Sequence, residues 1–254
     1  MAAEVLVKHE AGVAVITLNR PQARNAVNRA VTLAVAAALD ELDERSDLQV
    51  GVITGAGGNF CSGMDLKAFL AGEDVMLAGR GLAGMCMTPP TKPVIAAVEG
   101  WALAGGCEIA LACDLIVAAA DARFGIPEVK RGLVASSGGL LRLPRRLPPA
   151  IAMELALTGD PMTAELALQH GLINAVTEPG KALEGALQLA RRITRNGPLA
   201  VAASKQVLTH SADWPIGEAF ARQETIVAPV FDSSDAREGA QAFAEKREPV
   251  WLGR

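Results

Sequence analysis

The sequence predicts an α/β fold that ends in an all-helical C-terminal region. Three observations lead there. Short Val- and Ile-rich runs alternate with helical periodicity as far as Val176. From about residue 183 onward only helical segments remain. Between them, glycine-bearing loops stand where strands hand over to helices, above all at Gly105-Gly106. Strand–strand–helix units followed by helices alone are the pattern of a layered α/β core with a helical appendage.

The elements follow in order. Val5-Leu6-Val7 and Val13-Ala14-Val15-Ile16-Thr17-Leu18 flank Glu10-Ala11-Gly12, the signature of a β-hairpin. Asn19-Arg20-Pro21 ends the second strand, and Asn25 or Asn28 caps a helix with Val31, Val35, Leu39 and Leu42 on its apolar face. Val50-Gly51-Val52-Ile53-Thr54 is a further strand. A glycine-rich loop follows it, and a helix is expected to begin near Ser62. Residues 72–91, rich in Gly and Met, carry weak periodicity and are read as helical but mobile.

The apolar run Lys92-Pro93-Val94-Ile95-Ala96-Ala97-Val98 is a buried strand leading to Trp101-Ala102-Leu103-Ala104-Gly105-Gly106-Cys107-Glu108, with a helix at 109–112 and a strand at 114–118. Ala122-Arg123-Phe124-Gly125-Ile126-Pro127 is extended, since a residue before proline is pushed away from helix. A small-residue loop spans 132–139, and helices are expected at 140–147, broken by Pro144, and at 151–157. Thr163 caps a helix stopped by Gly171, and Leu172-Ile173-Asn174-Ala175-Val176 is the last strand. Helices at 183–196, 199–211, 216–230 and one capped near Ser234-Asp235 complete the chain.

Composition narrows the function. The 254 residues, 50% hydrophobic and 20% charged, suffice for one sizeable core. A net charge of -4 without a basic block speaks against nucleic-acid binding. No apolar run approaches the ~18 residues that span a bilayer, which excludes a membrane helix. Cys61, Cys86, Cys107 and Cys113 form no CxxC pair, and the acidic start Met1-Ala2-Ala3-Glu4 is no secretory leader. Reduced thiols in a cytoplasmic protein are therefore expected. His9, His170 and His210 are scattered without ligand spacing, so no metal site is expected.

Two loops share one property that carries chemistry. Gly63-Met64-Asp65 and Gly105-Gly106 each sit at a helix start, where the first N–H groups lack intrahelical partners. Two such donors converging on one oxygen form an oxyanion hole. Glu108 stands about one turn past the second loop, and Glu128 follows Pro127. A pair of carboxylates can divide acid and base roles around one water. Competing readings are weaker. Phe60 stands where the third glycine of a dinucleotide fingerprint belongs, and no helix opens there. Ser136-Ser137 lacks the GxSxG elbow and a partner histidine. Cys61 and Cys107, without a base beside them, read as core filler.

Taken in order, the residues resemble the crotonase (enoyl-CoA hydratase/isomerase) family over nearly the whole chain. The matching pieces begin with Asn19-Arg20-Pro21, Ala23-Arg24-Asn25-Ala26 and Phe60-Cys61-Ser62-Gly63-Met64-Asp65-Leu66. They continue through 92–100, Gly105-Gly106-Cys107-Glu108 and Phe124-Gly125-Ile126-Pro127-Glu128 to Leu157-Thr158-Gly159, Gly171-Leu172-Ile173 and the 238–247 stretch.

The resemblance implies a spiral of β-β-α units in residues 1–195, binding and transforming an acyl-CoA thioester. Residues 196–254 become a helical oligomerisation region that builds a homotrimer or homohexamer. It implies the N–H groups of Met64 and Gly105 as the oxyanion hole, with Glu108 and Glu128 as the catalytic pair of an enoyl-CoA hydratase. Arg24 and Lys67 fall near the coenzyme A phosphates, and Ser62, Gly63 and Asp65 join the substrate-binding loop. Coenzyme A is part of the substrate, and no separate cofactor is implied. A Δ3-Δ2 isomerase, a specialised acyl-CoA dehydratase and a non-catalytic acyl-CoA-binding protein are the alternatives. One departure stands out. The Pro-Gly-Ala-Gly-Gly-like loop of the hydratases is Ala135-Ser136-Ser137-Gly138-Gly139 here, so Ser136 becomes a candidate for shaping the acyl pocket.

Overall fold

The computed structural model describes residues 3–254. Strands β1 (Val5–Glu10) and β2 (Val13–Leu18) form the expected antiparallel hairpin. Its turn places Ala11 and Gly12 at φ 48° and 80°. Helix α1 (Arg29–Glu44) starts at Asn28, whose side chain accepts from the Val31 N–H. Asn25, the other capping candidate, is buried at φ 56°. Its amide donates to the Ala56 and Asn59 carbonyls at 2.9 and 2.7 Å, pinning the glycine loop instead. That loop follows β3 (Val50–Gly55). Helix α2 (Leu66–Leu70) begins later than expected, because Asp65 rather than Ser62 caps it through the Lys67 and Ala68 N–H groups.

The 72–91 segment is not helical. It forms two-residue strands β4 (Met76–Leu77) and β5 (Gly81–Leu82), paired antiparallel, and residues 81–86 are buried. Gly79, Gly81, Ala83 and Gly84 all lie at positive φ, which a helix does not permit. Strands β6 (Val94–Val98) and β7 (Trp101–Leu103) then lead into α3 (Gly105–Ala112). After β8 (Leu115–Ala119) and β9 (Arg123–Gly125), a 3₁₀ turn spans Pro127–Arg131. Helices α4 (Gly139–Arg146) and α5 (Pro149–Thr158) follow, the first continuing through Pro144. Strand β10 (Met162–Thr163) precedes α6 (Ala164–Gln169), and β11 (Ala175–Thr177) falls later than expected. Leu172 and Ile173 turn their N–H groups back to the Ala167 carbonyl, closing α6 instead of entering the sheet. Helices α7 (Ala182–Thr194), α8 (Pro198–His210), α9 (Ala219–Phe231) and α10 (Ser234–Glu245) end the chain, with Ser233 capping α10.

The main sheet runs β1-β2-β3-β6-β8-β11, parallel from β2 onward. Its faces alternate residue by residue. Ala14, Ile16, Leu18 and Ile53 face a large core with α1, while Val13, Val15, Val50 and Val52 face Ala182, Ala186 and Ala190 of α7. Burial on both sides explains why these strands read as continuous apolar runs.

Beside the main sheet runs a second layer. It holds β10-β9-β7 and continues through single parallel bridges, Cys61 with Ala102 and Val27 with Met64. Each turn of the chain therefore crosses the main sheet, then the second layer, then a helix, and successive turns stack. This is a spiral of β-β-α units. Among the described residues, no helix is long and apolar enough to cross a membrane.

Candidate active site

Stacking makes the site. Equivalent corners of successive turns lie above one another: Met64 follows Cys61, Gly105 follows β7, and Glu128 follows β9. The Leu103 N–H donates to the Cys61 carbonyl at 3.0 Å and the Ala104 N–H to the Gly125 carbonyl at 2.9 Å, locking three corners together. Three residues far apart in sequence thus become neighbours.

The two candidate amides are close. A β-carbon on Gly105 would lie 3.4 Å from the Met64 nitrogen. Neither the Met64 nor the Gly105 N–H has a hydrogen-bond acceptor among the described residues. Gly105 owes its orientation to Ala104, a non-glycine residue held at φ 53°, ψ -129° at the N-cap of α3. Such a conformation costs of order 1–3 kcal/mol and persists only where its surroundings impose it. Here it aims an N–H out of the helix start, where the dipole already favours negative charge. On the other loop, the Gly63 N–H donates to Cys61 Sγ at 3.3 Å, within a turn that puts Gly63 at φ 100°.

The two glutamates occupy different environments. Glu108, one turn into α3, is 2% exposed. Its Oε1 accepts from the Ser137 and Gly139 N–H groups at 2.7 and 2.9 Å, which leaves Oε2 uncommitted. Burial pushes its pKa up to about 7; the Gly139 and Ser137 N–H groups and Arg142 pull it down, while the charge of Glu128 adds to the rise. Glu128 sits in the 127–131 turn directly after Pro127, whose own φ is locked by its ring at the start of that turn. Burial raises its pKa as well, and its Oε2 is buried with no partner among the described residues. A buried carboxylate oxygen without a partner is costly, and such groups concentrate where a ligand or proton is handled.

The remaining candidates divide into two sets. The Ser62 N–H donates to the Arg24 carbonyl at 3.0 Å, so the loops carrying the exposed Arg24 and Lys67 side chains are joined. Asp65 is spoken for by the protein itself: Oδ1 caps α2 and Oδ2 takes a 2.9 Å ion pair from Arg20. Ser136 is exposed and does not cap α4, whose N-cap is Gly138 without a side-chain hydrogen bond. Its neighbour Ser137 is the residue that reaches Glu108, and it does so through the backbone.

Sequence reasoning missed that grip of Ser137 and Gly139 on Glu108. The signal was present, a second Gly-Gly pair at a helix start like Gly105-Gly106. The four cysteines are free and buried, and burial pushes Cys61, Cys107 and Cys113 up to about 12. They are inert filler at neutral pH.

A β-β-α spiral whose stacked corners bring together two amides without an acceptor among the described residues, a buried glutamate and a half-buried one is crotonase architecture. The chain belongs to the enoyl-CoA hydratase/isomerase family, whose model matches residues 8–254. It is 60% identical to the crystal structure of an enoyl-CoA hydratase from Mycobacterium marinum, with a TM-score of 0.98 over 100% of both chains. A carnitinyl-CoA hydratase from Mycobacterium avium matches at 48% identity and TM-score 0.81, again over both full chains. The carnitinyl-CoA dehydratase of Salmonella typhimurium is 44% identical over 247 residues, 94% of each chain.

Proposed function

We propose that the protein adds water reversibly across the 2,3-double bond of an enoyl-CoA thioester. The observation that carries this reading is the pair of glutamates, Glu108 buried and held through a single oxygen, Glu128 half-buried with a buried oxygen that has no partner among the described residues. The thioester oxygen is assigned to the Met64 and Gly105 N–H groups. Negative charge grows on that oxygen as water adds, so the hole binds the transition state better than the substrate. Glu108 accepts a proton from the water as its oxygen attacks the β-carbon, and Glu128 donates a proton to the α-carbon. The two carboxyls titrate as a coupled unit, and proton exchange with solvent restores the starting state. This chemistry asks for no metal or redox group, and coenzyme A enters as part of the substrate.

Exposed Arg24 and Lys67 are assigned to the coenzyme A phosphates, where cations are favourable. Leu208, Ile216, Phe220, Phe231 and Phe243 are exposed on or beside the C-terminal helices, which supports assembly as a homotrimer or homohexamer.

A second reading, dehydration of a β-hydroxyacyl-CoA in the manner of the 44% identical carnitinyl-CoA dehydratases, uses the same groups in reverse. Turnover of a panel of enoyl-CoA and 3-hydroxyacyl-CoA thioesters, carnitinyl-CoA included, assigns the acyl group and direction. Glu108→Gln and Glu128→Gln are each expected to lower turnover about a hundredfold or more, with thioester affinity little changed. Near-normal hydration by Glu108→Gln would defeat the hydratase reading and favour an isomerase that works with one glutamate. No turnover on any thioester, with binding intact, would make the chain a non-catalytic acyl-CoA-binding protein.

A further inference from the structure

Arg142 lies in the first turn of α4, and its guanidinium folds back over the turn that precedes the helix. Nη2 donates to the Cys86 carbonyl at 2.8 Å, and Nη1 reaches the Ser137 carbonyl at 3.5 Å. Gly138, at φ 103°, makes room for it, since a β-carbon there would lie 2.1 Å from Nη1. The same turn supplies the Ser137 and Gly139 N–H groups that hold Glu108 Oε1. Arg142 is half-buried, and no ion pair among the described residues includes it. Nor does its fork bind a carboxylate; it spans two loops.

We propose that Arg142 is a positioning residue for the hydration assigned above: it clamps the turn that grips Glu108 to the 81–86 segment and turns a positive charge toward that carboxylate. The inference rests on the hydration reading for its kinetic consequence. A mobile turn would let Glu108 drift from the water it must align, and small misplacements of a catalytic group are expensive.

The charges around Glu108 make the electrostatic part specific. Glu128, from the 127–131 turn, opposes ionisation, and Arg142, from α4, favours it. Cys107 beside it and Cys86 across from it are thiols that burial keeps protonated, so neither contributes charge near neutrality. Arg142 is the cation that acts on Glu108 from α4, and lysine cannot replace its two-pronged reach.

The test compares Arg142→Gln and Arg142→Lys, each alone and with Glu108→Gln. It reads the pH profile of kcat/KM and, in substrate-free protein, the carbon-13 NMR titration of Glu108, assigned by its absence in Glu108→Gln. Arg142→Gln is expected to raise the Glu108 midpoint and the acidic limb together by about one pH unit, the scale of one lost neighbouring charge. At pH 7, kcat is expected to fall about tenfold while KM changes less than about threefold, and Arg142→Lys is expected to restore the midpoint but only part of kcat.

In the Glu108→Gln background, Arg142→Gln is expected to cost nothing further, because the two act as a unit. An unmoved midpoint, or an equal kcat loss in both backgrounds, would overturn the proposal. If Arg142→Gln unfolds, Arg142→Lys alone decides, since wild-type kcat in that variant would eliminate the clamp. Normal turnover by Glu108→Gln sinks the hydration reading separately, while the substrate-free titration still decides the effect of Arg142 on Glu108.

Discussion

A β-carbon on Gly63 would lie 2.9 Å from the amide nitrogen of Gly105, one turn of the spiral away. It would also lie 2.8 Å from the β-carbon of Ala104. Any side chain at Gly63 must therefore push apart the two corners whose amides are assigned to the thioester oxygen. Glycine is required there twice over, because φ is 100°.

Gly63→Ala is accordingly expected to lower kcat by about a hundredfold, the scale of one lost oxyanion donor. KM should change much less, since the coenzyme A phosphates are assigned to the side chains of Arg24 and Lys67, which the substitution leaves in place. Thermal stability should also fall, by about 1–3 kcal/mol of strain. Steady-state kinetics with a crotonyl thioester decides: an unchanged kcat would remove the Gly63-Met64 corner from the oxyanion hole.

Glu108 sets a trade between stability and activity. Its native pKa of about 7 stands above the ordinary 4.5, so the native state keeps the proton longer than the unfolded chain. Stability from this group is complete below about pH 4.5 and is lost as pH rises through about 7. The loss is on the order of 3 kcal/mol, with burial as its cause. Glu108→Gln keeps an oxygen to accept the Ser137 and Gly139 N–H groups and cannot ionise. The variant is expected to be nearly inactive, yet more stable than wild type at pH 8 and no more stable at pH 4.5. Urea melts at the two pH values check this; a less stable Glu108→Gln at pH 8 would show that the carboxylate is stabilised where it sits. In wild type, kcat/KM is expected to rise through the same pH range as Glu108 ionises.

The legible parts of this protein are those where burial dictates residue type. Val13 to Leu18, Val50 to Thr54 and Val94 to Val98 declare themselves because both faces of the sheet are covered. Glu108 stands out in the sequence because it follows a helix-start glycine pair and Glu128 because it follows a proline, while their pairing as acid and base rests on the family resemblance. Short second-layer strands such as Met162–Thr163 are too brief for any periodicity. The 72–91 segment misled because methionine and alanine favour helix, whereas its glycines and Ala83 take left-handed conformations that only the tertiary fold decides. Arg142 was invisible for a related reason. Its partners are the carbonyls of Cys86 and Ser137, and a hydrogen bond to a carbonyl leaves no trace in side-chain identity.

The C-terminal helices make a prediction about assembly. Phe220, Phe231 and Phe243 are 81%, 76% and 87% exposed, an exposure uncommon for phenylalanine in an isolated soluble chain. Helix α9 buries none of its residues within the chain. Light scattering is expected to show a trimer or hexamer at micromolar concentration, and Phe231→Glu is expected to shift it toward monomer. A monomeric wild type would instead leave these side chains without a partner copy.

Ser136 poses the last question, because it is where this chain departs from the glycine of the hydratase loop. It is exposed, it makes no side-chain hydrogen bond among the described residues, and it leaves the capping of α4 to Gly138. The N–H of its neighbour Ser137 donates to Glu108, so position 136 adjoins the residue that holds the carboxylate assigned as base, on the exposed side of the same turn. Serine there adds a hydroxyl and narrows the backbone choices that glycine would have. Ser136→Gly is therefore expected to change substrate preference without lowering helix stability. The ratio of kcat/KM between a short linear and a bulky enoyl-CoA should move by about tenfold, around 1.4 kcal/mol of differential transition-state binding. If the variant instead loses kcat equally on both substrates, the added backbone freedom has reached Glu108 through Ser137, and Ser136 works on the carboxylate. If neither kcat nor the ratio moves, Ser136 has no part in the site, and specificity falls to the 72–91 segment, whose Leu82 side chain already lies against Gly105.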